Sequence, residues 1–207
     1  MLHPTRLFLI RHGEVEEQYH RVFGGSRIDM NLSPRGHEQA AALARYLGNK
    51  TFDAIYASPM LRAQKTLAPL AGLCPQPAVT EPGFREVDFG DWTGHTWEQV
   101  KARFGVSAFA WLDQMEAGAL PNGESAAGFR TRVEPPLRTL VERHAGQNAA
   151  IVCHGGVVRM ILSILLDLPL RAMASFEIDY ASLTVVERHH HKTEVNLLNF
   201  TPWRDLA

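Results

Sequence analysis

Two histidines in this 207-residue chain share one setting. His12 follows the apolar run Leu7-Phe-Leu-Ile10 and Arg11; His154 follows Ala149-Ala-Ile-Val-Cys153; glycine comes directly after each, as Gly13 and Gly155. Short apolar runs of this kind read as strands buried in a parallel sheet. Both histidines would then stand at carboxyl ends of strands, the edge where open α/β folds place ligands. Glycine lets the backbone turn sharply there and leaves room for a group to approach. One histidine so placed is more often structural than functional, but two in matching contexts point to a shared site.

Arg62 supplies a third part. It follows the strand-like Asp53-Ala-Ile-Tyr-Ala57 and falls in the first turns of the next helix, so it should reach the same edge. A helix N-terminus attracts anions and disfavours arginine by a few tenths of a kcal/mol, roughly, which favours a functional reason for it. Arg11 and Arg62 together could hold a phosphoryl group through planar, bidentate hydrogen bonds. Neutral His12 is a competent nucleophile toward phosphorus, and His154 could stabilise the oxygens in the transition state. The leaving oxygen needs an acid, and Phe84-Arg-Glu-Val-Asp-Phe-Gly-Asp-Trp-Thr-Gly94 offers Glu86, Asp88 and Asp91. Chemistry alone leaves those three open. Beside a phosphate any of them should have its pKa raised by like charge, which suits a general acid near neutral pH.

Strand-like and helix-like segments alternate, which predicts an α/β fold: a three-layer α/β/α sandwich on a mostly parallel sheet. Ser33-Pro34 reads as an N-cap with proline at the first helical position, leading a face of Ala40, Leu43, Ala44 and Leu47 until Gly48. Ser58-Pro59 repeats the signature and should start a second helix. Residues 78–81 form a weak strand candidate, and a helix from about Ser125 should bend or break at Pro135-Pro136. A strongly apolar helix should follow His154 to about Asp167. Ser182–Glu187 and Glu194–Phe200 alternate around His189-His190-His191-Lys192, which predicts a closing antiparallel hairpin. Residues 83–121 hold three of the four tryptophans and read as a helical cap inserted in a single domain, 1–207, with short helices near 96–104 and 107–117. Its aromatics should mostly bury a small core, with one or two facing the site.

Composition narrows the classes. The hydrophobic share of 45% and charged share of 21% are ordinary for a globular chain, and net charge is −1 at pH 7. No global field draws it to nucleic acid or to a membrane surface. Four of the 21 Lys+Arg are lysine, which leaves 17 arginines and fits phosphate recognition without establishing it. Cys74 and Cys153 form no disulfide framework, and no apolar run nears the roughly 20 residues that span a bilayer. These features predict a cytoplasmic protein. Adjacent histidines at 189–191 should splay apart in a turn, so no metal is expected there, and Cys153 should be an inert strand end.

The motifs together resemble the histidine phosphatase superfamily, also called phosphoglycerate mutase-like, over nearly the whole chain. Arg11-His12-Gly13-Glu14 is similar to its signature, Leu32-Ser-Pro-Arg-Gly-His-Glu-Gln-Ala40 to its following helix start, and Ser58-Pro-Met-Leu-Arg-Ala63 to its second arginine motif. Val152-Cys-His-Gly-Gly-Val-Val-Arg159 resembles its second-histidine motif. The resemblance implies that Arg11, His12, Arg62 and His154 surround the phosphoryl group, that His12 is the phosphorylated nucleophile, and that Glu86, among the three acids, acts first as acid and then as base. It implies no cofactor. Gln18 stands where many members carry asparagine and Gly24 where glutamine is common. Those two, with Arg21, Gly25 and Gly155, are the candidates for contact with substrate, and Asn122-Gly-Glu-Ser125 falls in a segment that often lines that side. Glu14 is expected to orient the Arg or His side chains from behind.

The expected activity is hydrolysis of a small phosphate ester. A bisphosphoglycerate-dependent mutase is the alternative enzyme, but Lys101 and Arg103 are the only basic residues between Glu86 and Pro121, where a second phosphate would need more. A silent phospholigand-binding protein is the alternative from another class, and the presence of all five chemical residues weighs against it. An exposed edge strand could pair with a second copy of the chain.

Overall fold

The first strand, β1 (Thr5–Arg11), sends alternate side chains to opposite faces of a sheet. Leu7 and Leu9 join one buried cluster, while Phe8 and Ile10 join another. The computed structural model describes residues 3–206. In chain order the other strands are β2 (Ala54–Ala57), β3 (Val79–Thr80), β4 (Asn148–Cys153), β5 (Leu183–Arg188) and β6 (Thr193–Phe200). They form one sheet in the order β3-β2-β4-β1-β5-β6. The pairings β3-β2, β2-β4 and β4-β1 are parallel, and β1-β5 and β5-β6 are antiparallel. The expected hairpin is therefore present and closes one edge.

The helices are α1 (Pro34–Leu47), α2 (Leu61–Leu67), α3 (Trp97–Phe104), α4 (Trp111–Glu116), α5 (Ala126–Arg143), α6 (Gly155–Leu166) and α7 (Pro202–Asp205). Leu43 and Leu47 of α1 and Ala63 and Leu67 of α2 pack on the Phe8/Ile10 face. Phe129, Val133, Leu137 and Leu140 of α5 and Val157 to Leu162 of α6 pack on the other. Three layers result. Ser33 caps α1 as expected, its hydroxyl accepting from the Gly36 amide at 3.0 Å.

Two expectations fail for physical reasons. Ser58-Pro59 does not start a helix: α2 begins three residues later, with Met60 at its N-cap and no side-chain cap. The Leu61 amide is instead held by the Asp29 carboxylate at 2.8 Å, and Ser58 turns to His154. Pro135 and Pro136 lie inside an unbroken 18-residue α5. A proline removes one backbone bond and costs about 3 kcal/mol in a helix interior, but the buried stripe from Phe129 to Leu140 holds both flanks against the core. Thr131, whose carbonyl Pro135 leaves without a donor, is exposed to water.

Glu187, His189 and Glu194 converge in the β5–β6 hairpin with their potential ligand atoms within 4.8 Å of one another. Glu187 pairs with Arg6 and Glu194 with Lys192, so each carboxylate already has a cation. His190 and His191 stand outside this group.

Phe52, fully buried ahead of β2, meets Phe8 edge-on with ring centres 5.0 Å apart. Replacing it with alanine should lower unfolding free energy by about 3–5 kcal/mol. Urea denaturation followed by far-UV dichroism checks this, and a loss below about 1 kcal/mol would show that the α1/α2 layer does not rest on that pair.

Candidate active site

Parallel register sets the site. Arg11 lies opposite Cys153, and the His12 amide donates to the Cys153 carbonyl at 2.9 Å. The next side chains on each strand, His12 and His154, therefore emerge side by side, their ring centres 5.1 Å apart and nearly edge to face.

His12 Nδ1 lies 2.8 Å from the Gly13 carbonyl. Donation to that oxygen places the proton on Nδ1 and leaves the lone pair on Nε2. Burial, then the charges of Arg62 and Arg11, hold the imidazole well below its usual pKa, so it is neutral at pH 7. Arg62 Nε lies 3.2 Å from His12 Nε2, and its other nitrogens donate to the carbonyls of Ile28 and Gly25. Burial lowers the Arg62 pKa to about 10, while Glu86 and Asp29 pull it back up. Arg11 donates from Nη1 to the Ile178 carbonyl at 2.6 Å and stacks 4.1 Å from the centre of the Tyr180 ring. Its buried Nε has no partner.

Glu86 sits at the start of α6. One carboxylate oxygen accepts from the Val87 amide at 3.0 Å and the other from the Gly156 amide at 3.2 Å. A Cβ on residue 156 would come within 2.4 Å of that carboxylate, so only glycine admits it. The neighbouring acids are taken elsewhere: Asp88 pairs with Arg27, and Asp91 accepts from the Asn122 amide. Neither lines the cavity, which separates them from Glu86 on geometry.

The cavity has a volume of about 490 Å³, and Arg11, His12, Arg62, Glu86, Gly24, Gly25 and Gly155 line it. His154 does not. It is fully buried behind His12, its Nε2 2.7 Å from the Ser58 hydroxyl, with burial and then Arg62 keeping it neutral. Its other ring nitrogen, Nδ1, is buried without a partner. Gln18 and Arg21 also stand off the cavity; Arg21 has φ of 57° and packs its guanidinium 5.8 Å from the Trp97 ring. Asn122, Glu124 and Ser125 serve local structure, on Asp91, Arg132 and the α5 amide of Gly128.

Other roles shift with the fold. Gly13 does not make room for a ligand: a Cβ there would lie 2.5 Å from the Gly36 carbonyl, so it admits α1. Glu14 touches neither Arg11 nor His12 but accepts from the Ser33 hydroxyl at 3.0 Å, bracing the α1 cap. Cys153 is fully buried, and burial, then Glu86, push its thiol pKa up. Cap aromatics contribute more than one or two groups, since Phe89, Trp97, Phe109 and Trp111 all line the cavity. The sequence reading missed Tyr180 and Arg132. Arg132 grips the Glu86 loop through the carbonyls of Gly83, Arg85 and Glu86 and pairs with Glu124. Its position on an ordinary polar helix face carried no signal, and Tyr180 lies in a loop 168 residues after His12.

Comparison with known proteins identifies a family and several similar proteins. The family model described as histidine phosphatase superfamily (branch 1) matches residues 7–201. Phosphoserine phosphatase 1 of Hydrogenobacter thermophilus is 30% identical over 95% of this chain and 93% of its own length. The adenosylcobalamin/alpha-ribazole phosphatase of Escherichia coli is 29% identical over 94% of this chain and 95% of its own. The native structure of mycobacterial glucosyl-3-phosphoglycerate phosphatase superposes with a TM-score of 0.85 at 26% identity, covering 95% of this chain and 99% of that one.

Two neutral, buried histidines make stability depend on pH. Unfolded, each would bind a proton below about pH 6.5; folded, each resists it, so stability is full above that value and falls as pH drops below it. Thermal melts between about pH 7.5 and 5 should show this decline, and His154→Asn should flatten it. An unchanged slope in that variant would mean that His154 is already charged in the fold.

Proposed function

We propose that this chain, which belongs to the histidine phosphatase superfamily, is a phosphomonoesterase that passes the phosphoryl group through His12. The observation that carries the reading is the His12 ring itself: its Nδ1 held by the Gly13 carbonyl, its Nε2 accepting from Arg62, and the ring set at the cavity beside Arg11 and Arg62. The relatives named phosphatases support the same activity.

The phosphoryl oxygens take over the donors of Arg11 and Arg62, including the Nε now facing His12 Nε2, which frees the lone pair. Nε2 attacks phosphorus in line, and the bond to the leaving oxygen breaks as Glu86 gives that oxygen its proton. Water then loses a proton to Glu86 and attacks phosphorus, releasing phosphate and restoring neutral His12. The arginines stabilise charge on the equatorial oxygens in both steps without reorganising. His154, neutral and anchored on Ser58, holds the His12 ring in place and lowers the cost of a second nearby cation by remaining uncharged. Arg132 keeps the Glu86 loop at the cavity wall. A cytoplasmic location is supported by Cys74 and Cys153 both being free, buried thiols. No helix among the described residues is long and apolar enough to cross a membrane. The outer edge of β6 is available to a second copy of the chain.

His12→Ala should abolish both turnover and acid-labile labelling by a phosphorylated substrate; retained activity would sink the mechanism. Glu86→Gln should slow esters of poor leaving groups by roughly 10²–10⁴-fold, the range of general acid catalysis, and aryl phosphates much less. Equal slowing across a leaving-group series would remove Glu86 as the acid. With 3-phosphoglycerate and the bisphosphate primer, the expected product is inorganic phosphate and not 2-phosphoglycerate.

A further inference from the structure

The cavity extends well beyond its phosphate end, and its chemistry changes abruptly there. Beyond Arg11, His12, Arg62 and Glu86, the lining holds no Asp, Asn, Gln, Ser, Thr or Lys side chain among the described residues. Its other uncharged polar side-chain groups are the hydroxyls of Tyr19 and Tyr180 and the indole N–H groups of Trp97 and Trp111. These are too few to pair the hydroxyls of a sugar, and an ammonium group would have no carboxylate except the one needed as acid. Arg159 is the remaining charged side chain in the lining, but Nη1 donates to the Gly155 carbonyl and Nη2 to the Phe176 carbonyl. It braces the chain on either side of the floor and presents no open fork to a carboxylate.

The opposite wall is aromatic. Trp97 and Phe109 meet at 5.1 Å and 67°, and Phe89 and Trp111 at 5.5 Å and 73°. Core packing does not account for them all. Phe89 and Trp92 are buried in the core and Trp97 and Trp111 pack against it, whereas Phe109 remains 76% exposed at the cavity. Trp97 is also fixed: it opens α3 behind the Thr96–Gln99 capping box, and its amide donates to the Arg21 carbonyl at 2.9 Å. A rigid, partly uncovered aromatic surface attracts a flat apolar partner, which buries area at little entropic cost.

We infer that the alcohol portion of the substrate is an uncharged aromatic or similarly large apolar group, seated against Trp97, Phe109 and Trp111. This rests on the phosphatase reading above. It also separates this chain from the relatives named for phosphoserine and for glucosyl-3-phosphoglycerate, whose substrates carry charged or polyhydroxyl groups.

The test compares alkyl phosphates with similar leaving oxygens: 2-(2-naphthyl)ethyl phosphate, ethyl phosphate, glycerol 3-phosphate and phosphoserine. The naphthylethyl ester should exceed the other three in kcat/KM by roughly tenfold or more, the scale on which apolar pockets discriminate, mainly through KM. Phe109→Ala, at an exposed position where folding is not at risk, and Trp97→Ala should each shrink that ratio. Equal efficiency across the panel, preference for phosphoserine or glycerol 3-phosphate, or a ratio untouched by both variants would overturn the inference. 4-Nitrophenyl phosphate is the control that keeps the two readings apart. If it is hydrolysed while the panel shows no preference, only the aromatic subsite fails; if no ester is hydrolysed, the phosphatase reading fails with it.

Discussion

The hydrogen bond from the His12 amide to the Cys153 carbonyl extends the β1–β4 ladder one step past the last residue of β1. Because that pairing is parallel and in register, two histidines separated by 142 positions leave the sheet at one height and on one edge. Every other part of the site is measured from that point. Arg62 arrives on the helix after β2, the neighbour of β4, and Glu86 arrives against the first amides of α6, the helix that begins where β4 ends. Losing the register by one residue would turn His12 toward the other face and separate all of these groups.

Charge is managed around that point by burying cations beside a base. Arg11 and Arg62 are held within the protein by backbone carbonyls and by the Tyr180 ring, without being neutralised by a close carboxylate. Their field, added to burial, keeps His12 and His154 unprotonated. Donors fixed in this way are preorganised for a phosphoryl dianion, since they need little movement to reach it. Glu86 faces the same cavity but is held by the amides of Val87 and Gly156 and not by a guanidinium.

Strand and helix order was legible because burial and periodicity are local: β1, β4, α1, α6 and the final hairpin all follow their apolar patterns. The failures occurred where a distant group overrode a local rule. Ser58 carries a capping signature but spends its hydroxyl on His154, and Asp29 caps α2 from another part of the chain. Pro135-Pro136 should disrupt a helix, but the stripe from Phe129 to Leu140 is buried strongly enough to keep it continuous. Gly13 and Glu14 looked like parts of the chemistry, whereas one admits α1 and the other braces its cap.

By itself the sequence determined that Arg11, His12, Arg62 and His154 meet at one edge of the sheet, because strand ends and helix starts put side chains at predictable places. It left Glu86, Asp88 and Asp91 open until the motifs were matched to a family. Only the tertiary structure decided which groups open onto the cavity and which stand behind it. His154 is walled off by His12 and Ser58, Gln18 and Arg21 stay outside, and Tyr180, Arg132 and the cap aromatics come in from remote segments. The reason is that a side chain's identity and local conformation are set by its neighbours in the chain, whereas its exposure to a cavity depends on what packs over it. That packing is a sum of contacts between segments whose separation in sequence carries no period or motif.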